Sequence, residues 1–251
     1  MSTNILNQDR INNVTVGRLA PDFRALSTHG YINLSDYRGS WVVLFSHPAA
    51  FSPVSTTEII MGSYYYPEYL KRNVQIIALT TDNNFANLEW VYDVFAKTGI
   101  SVPFPVISDN DKEISNLYGM VNPDRTYEES VRDAFLINPA GYIAAIVTMP
   151  HTNGRNAVEL LRIIDALQIT ENYNYHTPAA WQPGNPIIVP PVHTYEDLIN
   201  RVDSAAELGY NCPFWYLCYK NINTETEAEA INYENSNLNA QSSIEKNRID
   251  S

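Results

Sequence analysis

Trp41-Val42-Val43-Leu44-Phe45 is a continuous apolar run between a Gly-Ser turn signal and His47-Pro48, which predicts a strand buried on both faces. Beyond it, Ile59, Ile60, Tyr64 and Tyr69 predict a helix over 56–72, with Pro53 suited to a first turn where its missing N–H costs nothing. Val74 to Leu79 reads as a second buried strand. Phe85, Leu88, Val91, Tyr92 and Phe95 then recur at helical spacing, predicting a helix over 84–97 that Gly99 stops. Further strands are expected at 105–108, 133–137 and 142–148, and helices at 112–118 and 156–167. Asn138-Pro139-Ala140-Gly141 joins the last two strands as a hairpin, so the sheet is expected to be mixed.

Strands alternating with helices and closing in a hairpin and a helix predict an α/β layer fold of the thioredoxin-like type, a mixed central sheet flanked by helices. After 170 the composition shifts to Tyr173, His176, Pro178, Trp181, Pro183, Gly184, Pro186, Pro190 and Pro191, marking a linker and a small appended region with a helix over 194–208. The organisation expected is therefore 1–170 as the main domain, 171–222 as a C-terminal arm, and 223–251 as a polar acidic tail, with a helical piece around Thr226 to Ile231.

A net charge of −12 with only 16 basic residues, scattered, argues against nucleic-acid binding, which needs clustered cations. The sequence shows no apolar run long enough for a membrane span and no signal pattern over Met1 to Val14, so a cytoplasmic protein is expected. The five histidines show no ligand spacing, and no metal or other cofactor is expected. Two cysteines, Cys212 and Cys218, are too few for a secreted disulfide scaffold. Taken alone they read as two small buried hydrophobes. A helix would hold them about 9 Å apart, so a bond between them requires a turn, for which Pro213 is the candidate.

The stretch Ser46-His47-Pro48-Ala49-Ala50-Phe51-Ser52-Pro53-Val54-Ser55-Thr56-Thr57-Glu58 carries the candidate chemistry. A Pro-x-x-x-Ser-x-x-Ser string by itself is an ordinary strand-to-helix turn. Arg132 and Arg155 by themselves read as surface charges and His47 as a satisfied core or boundary histidine. In order along the chain, however, stand Ala20-Pro21-Asp22-Phe23, this stretch, Arg132 to Pro139, Gly154-Arg155-Asn156, Tyr175 to Gly184 and Ile187 to Pro191. Together they resemble the peroxiredoxin family over roughly Val16 to Lys220, in its one-cysteine and archaeal long-form branch, with Ser55 where the family carries its peroxidatic cysteine.

The resemblance implies reduction of hydrogen peroxide and alkyl hydroperoxides with a thiol reductant such as a thioredoxin-like protein. It implies Arg132 as the main guanidinium at the site and Arg155 as a second, Ser52 as the hydroxyl that binds peroxide, and Pro48 as the shield of the pocket. His47 and Glu58 would be supporting polar groups, and Cys218, or else Cys212, the thiol that resolves the oxidised sulfur of a neighbouring subunit. It also implies homodimers formed through the C-terminal arm and assembled into decamers. Serine cannot supply a thiolate near neutral pH, so the chain is expected to be inactive as written. Two origins are open: an engineered Cys→Ser exchange, which the retained supporting residues favour, or a naturally redox-silent oligomeric scaffold or chaperone. A serine hydrolase built on Ser55 and His47 lacks a G-x-S-x-G elbow and, in the sequence, an evident acidic partner.

Overall fold

The computed structural model describes residues 14–121 and 131–222. The expected acidic tail and its helical piece lie outside the described residues. The chain divides into two compact units, residues 1–160 and 161–251.

The first unit is built on a seven-stranded sheet in the order β2-β1-β5-β4-β3-β6-β7. Its strands are β1 (Arg24–Ser27), β2 (Gly30–Asn33), β3 (Trp41–His47), β4 (Val74–Thr80), β5 (Val106–Ser108), β6 (Arg132–Ile137) and β7 (Ile143–Met149). β3 runs parallel to β4 and antiparallel to β6, and β6 pairs antiparallel with β7. The sheet is mixed, as the hairpin at 138–141 predicts. β3 and β6 are central strands, and both are almost wholly buried, as expected for near-continuous apolar runs. The pair β1 and β2, joined through β5, has no counterpart in the sequence reading: four-residue strands with one partly exposed face carry too little pattern to stand out.

The helices of this unit are α1 (Pro53–Lys71), α2 (Asn84–Thr98) and the short α3 (Glu113–Leu117); α4 (Ala157–Tyr173) begins in it. α2 starts where Asn83 accepts a hydrogen bond from the Ala86 N–H at 3.0 Å and stops at Gly99, which adopts φ +73. The core between sheet and helices is apolar, centred on Leu44, Ile77, Leu79, Ile107, Phe135 and Ile137.

The second unit holds a three-stranded sheet in the order β8-β10-β9, formed by β8 (Ile187–Ile188), β9 (Tyr210–Phe214) and β10 (Leu217–Lys220), and the helix α5 (Tyr195–Ser204). Ile169, Trp181 and Ile187 pack into its own small core. Cys212 and Cys218 face one another across the β9–β10 hairpin and are joined as a disulfide, with Cα atoms 4.0 Å apart. The turn that allows the bond is Trp215-Tyr216, between the two strands, and not Pro213, which lies within β9.

Candidate active site

The site lies where β3 ends and α1 begins. His47 closes the central strand, fully buried, and the chain then turns through 48–52, with Phe51 held at φ +59. Ser52 occupies the N-cap position of α1 and Pro53 its first turn. The Ser52 hydroxyl does not cap the helix. It is hydrogen-bonded instead to the Ser55 hydroxyl at 2.5 Å. Ser55 is fully buried in the first turn of α1, where backbone N–H groups without intrahelical acceptors favour an electron-rich atom.

Arg132, the first residue of β6, reaches this point from the neighbouring strand. Its Nη1 donates to Ser55 Oγ at 3.0 Å and to Glu58 Oε2 at 2.8 Å, and its Nε donates to the carbonyl of His151 at 2.7 Å. Only 2 % of Arg132 is exposed, so these bonds act in a largely desolvated setting.

Glu58, one turn along α1 from Ser55, ties the cluster together. Arg155 donates to its Oε1 through Nε and the backbone N–H at 2.8 and 2.6 Å, and to its Oε2 through Nη2 at 2.8 Å. The same guanidinium bonds the carbonyls of Ser46 and Asp133 and lies 3.6 Å over the Phe45 ring. Burial opposes ionisation of Glu58, yet hydrogen bonds from Arg155 and His47 with the Arg155 charge outweigh it and hold the carboxyl well below the usual carboxylate range. His47 Nδ1 lies 3.3 Å from Glu58 Oε2, with its ring near Phe45 and edge-on to Trp90. Burial is the main force lowering the His47 pKa to about 4, the Glu58 hydrogen bond pulling the other way, so the ring is neutral at pH 7.

A cavity of about 330 Å³ opens beside Ser52, lined by Pro48, Ala49, Pro53, Val54, Arg132, His151 and Thr152. The sequence-derived residues Pro48, Ser52, Ser55, Arg132, His47, Glu58 and Arg155 thus converge at one place. Their roles divide more finely than the sequence suggests: Arg132 touches Ser55, whereas the Arg155 fork is occupied by Glu58 and backbone carbonyls and acts through them. His151 and Thr152 are site residues that the sequence reading missed. His151 contributes a backbone carbonyl, which any residue could supply, and Thr152 an exposed wall, so neither leaves a residue-type signal.

Cys212 and Cys218 belong to the second unit and are bonded to each other. No free thiol remains in the chain. Among the described residues no three His, Cys, Asp or Glu side chains are grouped to hold a metal ion, and no helix is long and apolar enough to cross a membrane.

The AhpC/TSA family model matches residues 16–146, and that for the C-terminal domain of 1-Cys peroxiredoxin matches 166–205. A protein named peroxiredoxin 2 from Caldanaerobacter subterraneus is 48% identical over 207 residues, covering 82% of this chain and 93% of its own. The chain belongs to the peroxiredoxin family. A peroxiredoxin of Aquifex aeolicus is 41% identical over 218 residues, 82% of this chain and 96% of that one. Among solved structures, the yeast mitochondrial 1-Cys peroxiredoxin superposes with a TM-score of 0.74 at 36% identity, covering 83% of this chain and 99% of its own. A cysteine-to-serine mutant of peroxiredoxin 6 from Arenicola marina gives the same TM-score and identity, covering 83% and 98%. The fold is the thioredoxin-like fold of peroxiredoxins, whose general function is peroxide reduction.

Proposed function

We propose that this chain is the frame of a thiol-dependent peroxidase for hydrogen peroxide and alkyl hydroperoxides, with Ser55 at the position of the peroxidatic cysteine and no turnover as a result. The observation that carries the reading is the Arg132 Nη1 to Ser55 Oγ hydrogen bond, made beside the Ser52 hydroxyl at a helix N-terminus. A thiolate at 55 would be stabilised there by the guanidinium and the free N–H groups. It would attack one peroxide oxygen and break the O–O bond, leaving sulfenic acid and a departing alkoxide or hydroxide that takes a proton to become alcohol or water. Two reductant thiols would then return the sulfur to thiol, releasing water and forming a disulfide. The serine hydroxyl is too weakly acidic and its oxygen too little polarizable to begin this sequence.

Cys218, first, and Cys212 are the candidate resolving thiols. Bonded to each other they must be reduced before either can act. Cys218 is buried and Cys212 half-buried, so a dithiol reductant reaches Cys212 more readily. Homodimers through the arm, assembling to a decamer, agree with the exposed Tyr195, Ile199 and Val202 of α5 and the exposed Phe214, Trp215 and Tyr216 of the hairpin. A cytoplasmic setting fits the reading. Retention of every supporting side chain favours an engineered exchange at 55 over a naturally silent scaffold or chaperone.

The deciding experiment is peroxide consumption by Ser55→Cys with a dithiol reductant. Turnover appearing in the variant and absent from the parent chain is the expected result. A Ser55→Cys protein that folds and leaves peroxide untouched contradicts the reading. Holdase activity that persists with Ser55 would instead favour the scaffold.

A further inference from the structure

The loop 48–52 brings Pro48 and Ser52 to the site, yet its own side chains do little to hold its shape. Phe51 lies at φ +59, a conformation disfavoured for a residue with a Cβ, and its ring is half exposed. Ala49 and Ala50 have no polar side chain to offer. A backbone held in such a conformation has to be fixed by the structure around it.

At its far end the loop is held through α1 and α2. The Ser52 carbonyl accepts from the Thr56 N–H at 2.9 Å and from the Thr56 hydroxyl at 3.0 Å, and the buried Trp90 indole donates to that hydroxyl at 3.0 Å. Nearer its start the hold comes from Asp82, whose Oδ2 accepts from the Ala50 N–H at 2.6 Å, a bond strengthened by the acceptor's charge. Asp82 is itself braced on both sides of its backbone. Its N–H donates to the Thr80 hydroxyl at 3.2 Å and its carbonyl accepts from the Ser108 hydroxyl at 2.7 Å. The buried Thr80 hydroxyl donates in turn to the Asn87 side chain at 2.8 Å, and Asn87 to the Ile107 carbonyl at 3.2 Å. Groups from β4, β5 and α2 therefore converge on one half-buried carboxylate and aim it at the loop. Solvation of a surface acid requires none of this backing.

We propose that Asp82 is a positioning residue for the site: through the Ala50 N–H it holds the loop, Phe51 included, in the form that turns the Ser52 hydroxyl onto the side chain at position 55. Asp82 does not line the cavity and acts through the loop backbone. The inference rests on the peroxidase reading in one respect, that position 55 is the place of a thiolate.

The thiol pKa of Ser55→Cys, followed by thiolate absorbance in the full chain with its disulfide intact, tests it when Asp82→Ala, Asp82→Asn and Asn83→Ala are added in turn. The sign of the change separates the alternatives. A negative charge opposes a thiolate, so an Asp82 acting through its charge alone would give a lower pKa in both Asp82 variants. Positioning gives the opposite sign: with the loop released Ser52 no longer donates to the thiolate, and Asp82→Ala is expected to raise the pKa by at least about half a unit. Asp82→Asn keeps an acceptor oxygen at the same reach and is expected to stay within about 0.2 unit of Ser55→Cys alone, or below it. Asn83→Ala loses the cap of α2 but no bond to the loop, and is expected to leave the pKa unchanged. Asp82→Ser, whose hydroxyl stops short of Ala50, repeats the alanine test should that variant fold poorly. A pKa lowered or unmoved by Asp82→Ala and Asp82→Ser, or raised equally by Asn83→Ala, overturns the proposal. No peroxide enters these titrations, so an active Ser55→Cys whose pKa does not respond to Asp82→Ala sinks this inference alone. An inactive Ser55→Cys whose pKa rises with Asp82→Ala sinks the peroxidase reading alone.

Discussion

Glu58 is the residue on which the others at the site depend. It accepts hydrogen bonds from both guanidinium groups and faces His47, all within a buried cluster. Removing one partner of such a cluster leaves charge uncompensated in a desolvated setting. Glu58→Gln is therefore expected to lower unfolding free energy by about 3–5 kcal/mol, read from the urea midpoint. A change under about 1 kcal/mol would show the cluster to be solvated. His47 adds a pH dependence of definite sign. Its folded pKa of about 4 lies below the ordinary 6.5, so between those values the unfolded chain binds the extra proton and stability falls as pH falls. The loss amounts to roughly 3 kcal/mol. Glu58, with its depressed pKa, continues the loss in the same direction below the ordinary carboxylate range. Urea unfolding at pH 7 and pH 5 is expected to show the greater part of the His47 loss, and His47→Asn to remove most of it.

The elements of the first unit were legible where burial imposes a clean pattern. β3 and β4 announce themselves as near-continuous apolar runs because both faces are covered, and α2 by residues recurring at helical spacing up to the stop at Gly99, whereas its Asn83 cap shows only in the structure. β1 and β2 were not legible, nor was the β9–β10 hairpin, because short exposed strands are held by ladder hydrogen bonds that any residue can make. The same reason explains the site. Side chains that bring charge or a hydroxyl could be named from sequence, while the His151 carbonyl that fixes Arg132 could not. At this scale Asn83→Ala is expected to cost about 1 kcal/mol through loss of the α2 cap. The nearby Asp82 carboxylate holds the Ala50 N–H at 2.6 Å, so the cap lies close to the loop that carries the site. An unchanged thermal midpoint in Asn83→Ala would mean that the bond contributes nothing net.

At the scale of the whole molecule, the exposed apolar surface bears on assembly. Tyr195, Ile199 and Val202 of α5 with the hairpin aromatics form one set, and Phe85, Leu88, Tyr92 and Phe95 along α2 form another at helical spacing. A closed ring of dimers needs two different interfaces, and a dimer alone needs one. Sedimentation velocity is expected to show species heavier than a monomer, with Trp215→Glu shifting the distribution towards monomer and Phe85→Glu limiting it to dimer. A monomeric parent chain would contradict the assembly reading.

The electrostatic character of position 55 is read from the thiol pKa of Ser55→Cys. With Cys212 and Cys218 joined as a disulfide, thiolate absorbance in the ultraviolet reports the new cysteine alone. Arg132 and the first turn of α1 are expected to bring its pKa at least about one unit below the ordinary value near 8.5. A titration midpoint at or above that value would contradict the account.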